Sequence, residues 1–273
     1  MSEKGNEMPE KFSILDFAKK KQNNEKIIML TATDYSFAVL LDKSGVDAVL
    51  VGDSLGMVSL GYDNTIPVTM DEMIHHAKAV RRGIKNAFLI GDMPFMSYEA
   101  SDEDAVKNAG RFLKEAYCGA VKLEGGIEII SRVKAIKEAG IPVLGHIGLT
   151  PQRISNIGGY KVQGRLPKDA EKLENDAKAL EDAGCFAIII ECVPSDVTAK
   201  IKKSLKIPLI GIGAGQDTDG QILVLHDLIG LYDRFTPKFV KKYATLGDEI
   251  IKAVLTFKEE VEKGLFPSEG NSF

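Results

Sequence analysis

The chain is poor in cysteine: Cys118, Cys185 and Cys192 are odd in number and lack the paired spacing of a zinc site. Each lies in or beside an apolar run, which points to reduced, buried thiols and a cytoplasmic setting rather than a disulfide framework. The N-terminal segment MSEKGNEMPEKFSILDFAKKK is charged and holds no apolar stretch long enough for a signal peptide or a membrane span. Basic clustering is equally scarce. The net charge is −4, and the one dense stretch, Lys19-Lys20-Lys21, reads as a solvated face, so nucleic acid and membrane drop out as partners. A linker, a low-complexity segment and a dinucleotide fingerprint are also missing. Gly211-Ile212-Gly213-Ala214-Gly215 has the wrong spacing for that fingerprint and follows a late strand, where it reads as a tight turn. These absences leave one cytoplasmic domain over residues 1–273, with a short charged N-terminal extension and a helix over roughly Lys238 to Lys263.

What the chain does have is a recurring unit: a helical pattern, a glycine stop, a short Val/Ile/Leu run, then a polar residue and a loop. LLDKSGVDAVLVGDS, LKEAYCGAVKLEGG, IKEAGIPVLGHIG and LEDAGCFAIIIECV all show it. Gly45, Gly119, Gly140 and Gly184 suit the left-handed residue past a helix end. Thr69 with Glu72 and Ser101 with Asp104 mark helix starts, a hydroxyl cap followed by an acid three residues on. Unbroken apolar strands separated by helices imply a parallel sheet covered on both faces. Eight candidates, Ile27–Asp34, Ala48–Ser54, Phe88–Phe95, Ala120–Gly126, Val143–Thr150, Phe186–Val193, Leu209–Gly215 and Gln221–Asp227, predict a (β/α)8 TIM barrel, with a doubly wound open sheet as the rival.

Several of these runs end on an ionisable residue, which a buried strand has no structural use for, because desolvating an ion costs several kcal/mol unless it is paired or metal-bound. Alternation along a strand puts Lys122 and Glu124 on one face and Val121 and Leu123 on the other. Asp53, Asp92, Lys122 with Glu124, His146 and Glu191 would then converge from different strands on the C-terminal mouth, where barrel enzymes place their chemistry. Oxygen ligands without cysteine favour magnesium at Asp53, Asp92 and Glu124 over zinc; the competing reading is a structural network of these acids with Lys122 and arginines. Gly52 and Gly91 precede two of the acids and would let a ligand approach the backbone. Glu191 follows three isoleucines, an environment that should raise its pKa and suit a general acid/base, against a salt-bridged structural glutamate. His146 reads equally as a substrate-facing or a core histidine. His75 and His76 read as surface residues, and the loop GGYKVQGR, 158–165, as a lid or an ordinary mobile loop.

TATDYSFA at 31–38, VGDSLGMVSLGYDNTIPVTMDEM at 51–73, GDMPFMSY at 91–98, VKLEGG at 121–126, GHIGLTPQ at 145–152, GGYKVQGR at 158–165 and ECVP at 191–194 carry a resemblance. In order and together they resemble the ketopantoate (3-methyl-2-oxobutanoate) hydroxymethyltransferase family from about Thr31 to the C-terminal GLFPSEGNSF, leaving the first ~25 residues outside. The resemblance implies a magnesium-dependent (β/α)8 barrel, commonly a homodecamer, that moves a one-carbon unit from 5,10-methylenetetrahydrofolate to 3-methyl-2-oxobutanoate in pantothenate synthesis, giving 2-dehydropantoate. It also implies Asp53, Asp92 and Glu124 as metal ligands, Asp53, Ser54, Asp92 and Lys122 as keto-acid contacts, and Glu191 as proton acceptor. Two alternatives stand beside it: a related magnesium-dependent barrel lyase or mutase of the phosphoenolpyruvate mutase/isocitrate lyase type, and a barrel that binds a small acid without turnover.

Overall fold

The computed structural model describes residues 11–157, 159 and 161–273. The apolar runs form eight parallel strands: β1 (Ile27–Thr31), β2 (Ala48–Val51), β3 (Phe88–Asp92), β4 (Ala120–Glu124), β5 (Val143–Gly148), β6 (Ala187–Glu191), β7 (Leu209–Ile212) and β8 (Gly220–Leu223). They pair in sequence order, and β1 also pairs with β8, so the sheet closes into a barrel and the open-sheet alternative falls. Strands stop earlier than their apolar runs suggest. The eighth was expected to reach Asp227 but ends at Leu223, where the backbone turns into a short helix, Leu225–Leu228.

In chain order the helices through the eighth strand are α1 (Ile14–Gln22), α2 (Tyr35–Lys43), α3 (Leu55–Val58), α4 (Met70–Gly83), α5 (Asp102–Ala116), α6 (Ile130–Glu138), α7 (Ile154–Ile157), α8 (Pro167–Ala183) and α9 (Ser195–Ser204). No helix separates β7 from β8. Both predicted caps form: Thr69 accepts from Glu72 N–H in a full capping box, and Ser101 accepts from Asp104 N–H. Gly45, Gly140 and Gly184 take positive φ as expected, but Gly119 does not. Tyr117 ends α5 in the left-handed conformation instead, and Gly119 is small because a Cβ there would lie 2.4 Å from the Phe88 ring. Gly91 has a similar reason. A Cβ on it would meet the Phe112 ring of α5 at 2.2 Å, so this glycine serves helix–strand packing rather than ligand approach.

The segment before β1 is part of the barrel's construction. Phe17 of α1 is fully buried, with its ring edge-on to Phe12, Phe88 and Phe186 at 5.2, 5.8 and 5.0 Å. Phe88 opens β3 and Phe186 precedes β6, so this cluster lies at the barrel end opposite the mouth. Burying such a ring contributes about 2–3 kcal/mol. The lysine run follows on the same helix, and two of its members are not the solvated face expected: Lys20 pairs with Asp47 at 2.6 Å and Lys21 with Asp219 at 2.7 Å. Both acids sit just before strands, β2 and β8, where α1 can reach them.

The chain divides into two compact units, Met1–Leu223 and Val224–Phe273. The second contains α10 (Leu225–Leu228) and α11 (Leu246–Glu262). The C-terminal helix is thus shorter than the expected 238–263. Tyr243 N–H bonds to Leu228 C=O and Leu246 N–H to Ile229 C=O, committing that stretch to the preceding turn. None of the side chains of α11 is buried.

Candidate active site

Register assembles the mouth. Asp92 on β3 is paired with Lys122 on β4, Glu124 on β4 with His146 on β5, and Gly148 on β5 with Glu191 on β6. Lys122 Nζ lies 2.7 and 2.8 Å from the two Asp92 oxygens and 3.1 Å from Glu124 Oε1. Asp53, two residues past β2, donates its backbone N–H to Asp92 Oδ2 at 3.1 Å. The His146 ring bridges the remaining acids, Nδ1 at 3.2 Å from Glu124 Oε1 and Nε2 at 3.2 Å from Glu191 Oε2. Neither ring nitrogen points along a hydrogen bond, so these are charge contacts rather than aligned bonds. Asp53, Asp92, Lys122, Glu124 and His146 are buried, and Glu191, 15 % exposed at its side chain, stands at the opening. Ser54 follows Asp53 at the start of α3 and its hydroxyl caps nothing there.

Five of these ionisable groups form one buried cluster and are strongly perturbed. Burial, and then the neighbouring Asp92 charge, pushes the Asp53 carboxyl well above the usual range. Asp92 is also raised, by burial, against the pull of Lys122. Burial likewise opposes the Glu124 anion, but the charges of Lys122 and His146 prevail and hold it at about 2. For His146, burial and Lys122 disfavour the cation, yet Glu124 and Glu191 together lift it to about 9. Lys122 is held cationic by Asp92, Glu124 and Asp53 despite its burial. His146 is thus a buried histidine with a carboxylate on each side, and the apolar surroundings expected of Glu191 are interrupted by an imidazolium.

Two residues absent from the predicted set complete the cluster. Gln152 Nε2 donates to Asp53 Oδ2 and to Met93 C=O, both at 2.9 Å, and its backbone N–H donates to Glu124 Oε2 at 3.1 Å. Tyr98 OH donates to Gln152 Oε1 at 2.8 Å and accepts Glu124 N–H at 3.2 Å. Both lie inside motifs already quoted, GHIGLTPQ and GDMPFMSY, but in loop positions where no periodicity singles them out.

Among the described residues no three His, Cys, Asp or Glu side chains stand ready to hold a metal ion. Glu124, expected as the third ligand, has Oε1 facing Lys122 and His146 and Oε2 on the Gln152 N–H. Asp92 is similarly engaged, by Lys122 on both oxygens and by the Asp53 N–H, and Asp53, Asp92 and Glu124 together offer the all-oxygen chemistry of a hard cation. Burial is the main cause that raises both the Asp53 and the Asp92 carboxyl, and no protein group bonds Asp53 Oδ1 among the described residues. Carboxylates with room for water and substrate oxygens are the set that magnesium takes.

Of the glycine stretch 211–215, Gly211 and Ile212 end β7 and the chain bends from Gly213, with Gly213 and Gly215 at positive φ and Gly215 against Ser195. His76 is half-buried rather than at the surface, its Nδ1 2.6 Å from Thr33 C=O. Of the loop 158–165, Gly158 and Tyr160 lie outside the described residues; Gln163 N–H anchors its later part to Cys192 C=O at 2.8 Å. A cavity of about 270 Å³ opens between the loops after β4 and β5 and α8, with Gly125, Gly126, Gly148 and Gly164 in its wall. Of its charged side chains, Arg153 pairs with Glu128 and Lys172 with Asp176.

A closed parallel barrel with a buried lysine–acid cluster at its C-terminal mouth defines the class: a (β/α)8 enzyme. Solved structures of similar fold include a phosphonopyruvate hydrolase in complex with oxalate and magnesium (TM-score 0.62, 14 % identity, covering 94 % of this chain and 92 % of that one). Another is a 2,3-dimethylmalate lyase of the phosphoenolpyruvate mutase/isocitrate lyase superfamily (TM-score 0.61, 14 % identity, 97 % and 93 %). At that identity the likeness concerns the fold. Sequence relatives are far closer: 3-methyl-2-oxobutanoate hydroxymethyltransferases of Carboxydothermus hydrogenoformans (57 % identical over 93 % of this chain and 92 % of that protein) and Syntrophus aciditrophicus (56 %, 93 % and 93 %). Residues 11–269 match the family model of ketopantoate hydroxymethyltransferase, and the chain belongs to that family of transferases. The match starts well before Thr31 and takes in α1, which the motif resemblance had left outside.

Proposed function

We propose that this chain transfers a hydroxymethyl group from 5,10-methylenetetrahydrofolate to 3-methyl-2-oxobutanoate, giving 2-dehydropantoate for pantothenate synthesis. The observation that supports it is the single cluster in which Asp53 and Asp92, Lys122, and Glu191 face one mouth, in a chain of this family. Asp53, Asp92 and Glu124 would hold magnesium, and Glu124 also fixes Lys122 and His146. The ion, when bound, supplies the positive charge that stabilises the keto acid's 2-oxo oxygen as negative charge collects there.

The chain's own residues do the rest. Lys122, cationic and pinned by Asp92, adds a fixed positive charge for the substrate carboxylate and enolate oxygen, and the Ser54 hydroxyl is free to bond the acid. Glu191 takes the proton from C3, leaving an enolate whose C3 attacks the formaldehyde-level methylene carbon. One water is consumed as the new CH2OH forms and tetrahydrofolate departs. His146, charged between Glu124 and Glu191, orients Glu191 toward the opening. A homo-oligomer, a decamer by family resemblance, is supported by the exposed apolar residues Ile250, Val254 and Phe257 of α11.

Proton NMR of the purified chain with both substrates, with magnesium and then with a chelator, tests the reading. Loss of the C3 proton and a new hydroxymethyl signal, both dependent on magnesium, are expected. Exchange at C3 without product would remove the folate as donor. Neither signal, with cleavage of an oxaloacetate-like or phosphonate acid instead, would favour a lyase or mutase.

A further inference from the structure

The Gln152 side chain bonds three different residues of the site, and neither charge nor periodicity explains it. It is 2 % exposed and joins three strands' residues at once: Asp53 after β2, Met93 after β3 and Glu124 on β4. Its donors and acceptor are all used. The amide nitrogen serves Asp53 Oδ2 and Met93 C=O, the amide oxygen accepts from Tyr98, and the backbone N–H serves Glu124. Only one sense of the amide satisfies this arrangement. Were it flipped, its NH2 would face the Tyr98 hydroxyl and its oxygen would face both Asp53 Oδ2 and a carbonyl, three acceptors meeting without a proton. Tyr98 OH accepts the Glu124 N–H and has two acceptors in reach, Gln152 Oε1 at 2.8 Å and Glu124 C=O at 3.1 Å, of which the amide oxygen is the nearer.

A glutamate of the same shape would place a further anion among Asp53, Asp92 and Glu124, and a methionine would leave Asp53 Oδ2 and Met93 C=O without the donor they have, which is unfavourable for buried acceptors. The amide therefore does what neither can: it fixes one oxygen of Asp53 and leaves the other, Oδ1, without a protein hydrogen bond among the described residues.

We propose that Gln152 is a positioning residue for the reaction, with Tyr98 as the lock on its amide, and that it sets the orientation in which Asp53 meets magnesium and the keto acid. This rests on the reading of Asp53 as a ligand, and it names residues that the reading does not use. Partners that orient metal-binding carboxylates typically change affinity by about 10- to 100-fold when removed.

The test is calorimetric titration of magnesium in the presence of 3-methyl-2-oxobutanoate, together with kcat and KM, for wild type, Gln152→Met, Gln152→Glu and Tyr98→Phe. The expected result is at least about a tenfold loss of magnesium affinity in Gln152→Met, with a rise in the keto-acid KM that excess magnesium partly reverses, and a smaller loss in Tyr98→Phe. Circular dichroism confirms that each variant is folded; if Gln152→Met is not, Tyr98→Phe decides by the same readout. Folded variants that bind magnesium within about twofold of wild type, whatever their melting temperatures, would reduce Gln152 and Tyr98 to packing residues. A wild-type chain that binds no magnesium with the keto acid would instead sink the underlying reading.

Discussion

Lys122 and Asp92 are register partners on β4 and β3, and the ammonium touches both oxygens of the carboxylate, at 2.7 and 2.8 Å, in full burial. A pair so placed is expensive to desolvate and would be replaceable by apolar residues if stability alone were at stake. Removing one partner, however, leaves an uncompensated buried charge. The cluster is thus built for chemistry and is vulnerable at each member.

Glu191→Gln is expected to keep magnesium and keto-acid affinity while deuterium exchange at C3 falls by about 10²-fold or more. NMR of the keto acid in deuterated buffer measures this. Exchange at the wild-type rate would take the proton-acceptor role away from Glu191.

Asp92→Asn should weaken magnesium and keto acid together, by about tenfold or more, because it removes a carboxylate from the cation's site and frees Lys122 from its anchor. Titration calorimetry reads both affinities. If neither changes, Asp92 is a structural partner of Lys122 alone.

His146 makes the metal-free protein sensitive to alkali. Its folded pKa is about 9 and its ordinary value 6.5, so the folded state holds the proton more tightly. The stabilisation is fully present below about pH 6.5 and is lost as pH rises through about 9, an effect on the order of 3 kcal/mol. Urea unfolding at pH 6 and pH 9.5 should show that loss in wild type and a flatter profile in His146→Gln; equal slopes in the two would be the contrary result.

Gly91→Ala tests whether this glycine serves packing or ligand approach. With Phe112 Cδ1 at 2.2 Å from the new Cβ, a cost of about 1–3 kcal/mol is expected, partly relieved by a second change, Phe112→Leu. Thermal melts of the single and double variants measure it. A stable single variant with lost keto-acid binding would restore the ligand reading.

Phe17→Ala should separate fold from function. It empties the centre of a ring cluster at the far end of the barrel, for about 3–5 kcal/mol, yet touches nothing at the mouth. Below its melting temperature kcat should match wild type, and a lowered kcat in folded protein would connect the two ends.

Local sequence by itself determined the eight strands, the helix starts at Thr69 and Ser101, and which ionisable residues end the apolar runs. Those signals repeat over two to four residues, so no knowledge of distant contacts is needed to see them. The family could be read from the same short motifs. Only the closed barrel decided the rest. Gln152 reaches Asp53 across 99 positions of sequence, and Lys21 reaches Asp219 across 198, because strand register and closure bring together ends that the chain order separates. The same closure gave His146 its two carboxylates, gave Gly91 the Phe112 ring to make room for, and committed the oxygens of Glu124 to Lys122, His146 and Gln152. Alternation along a strand tells which side chains face inward; what they meet there depends on the other strands, and hydrogen bonds of about 3 Å are specified by tertiary geometry alone.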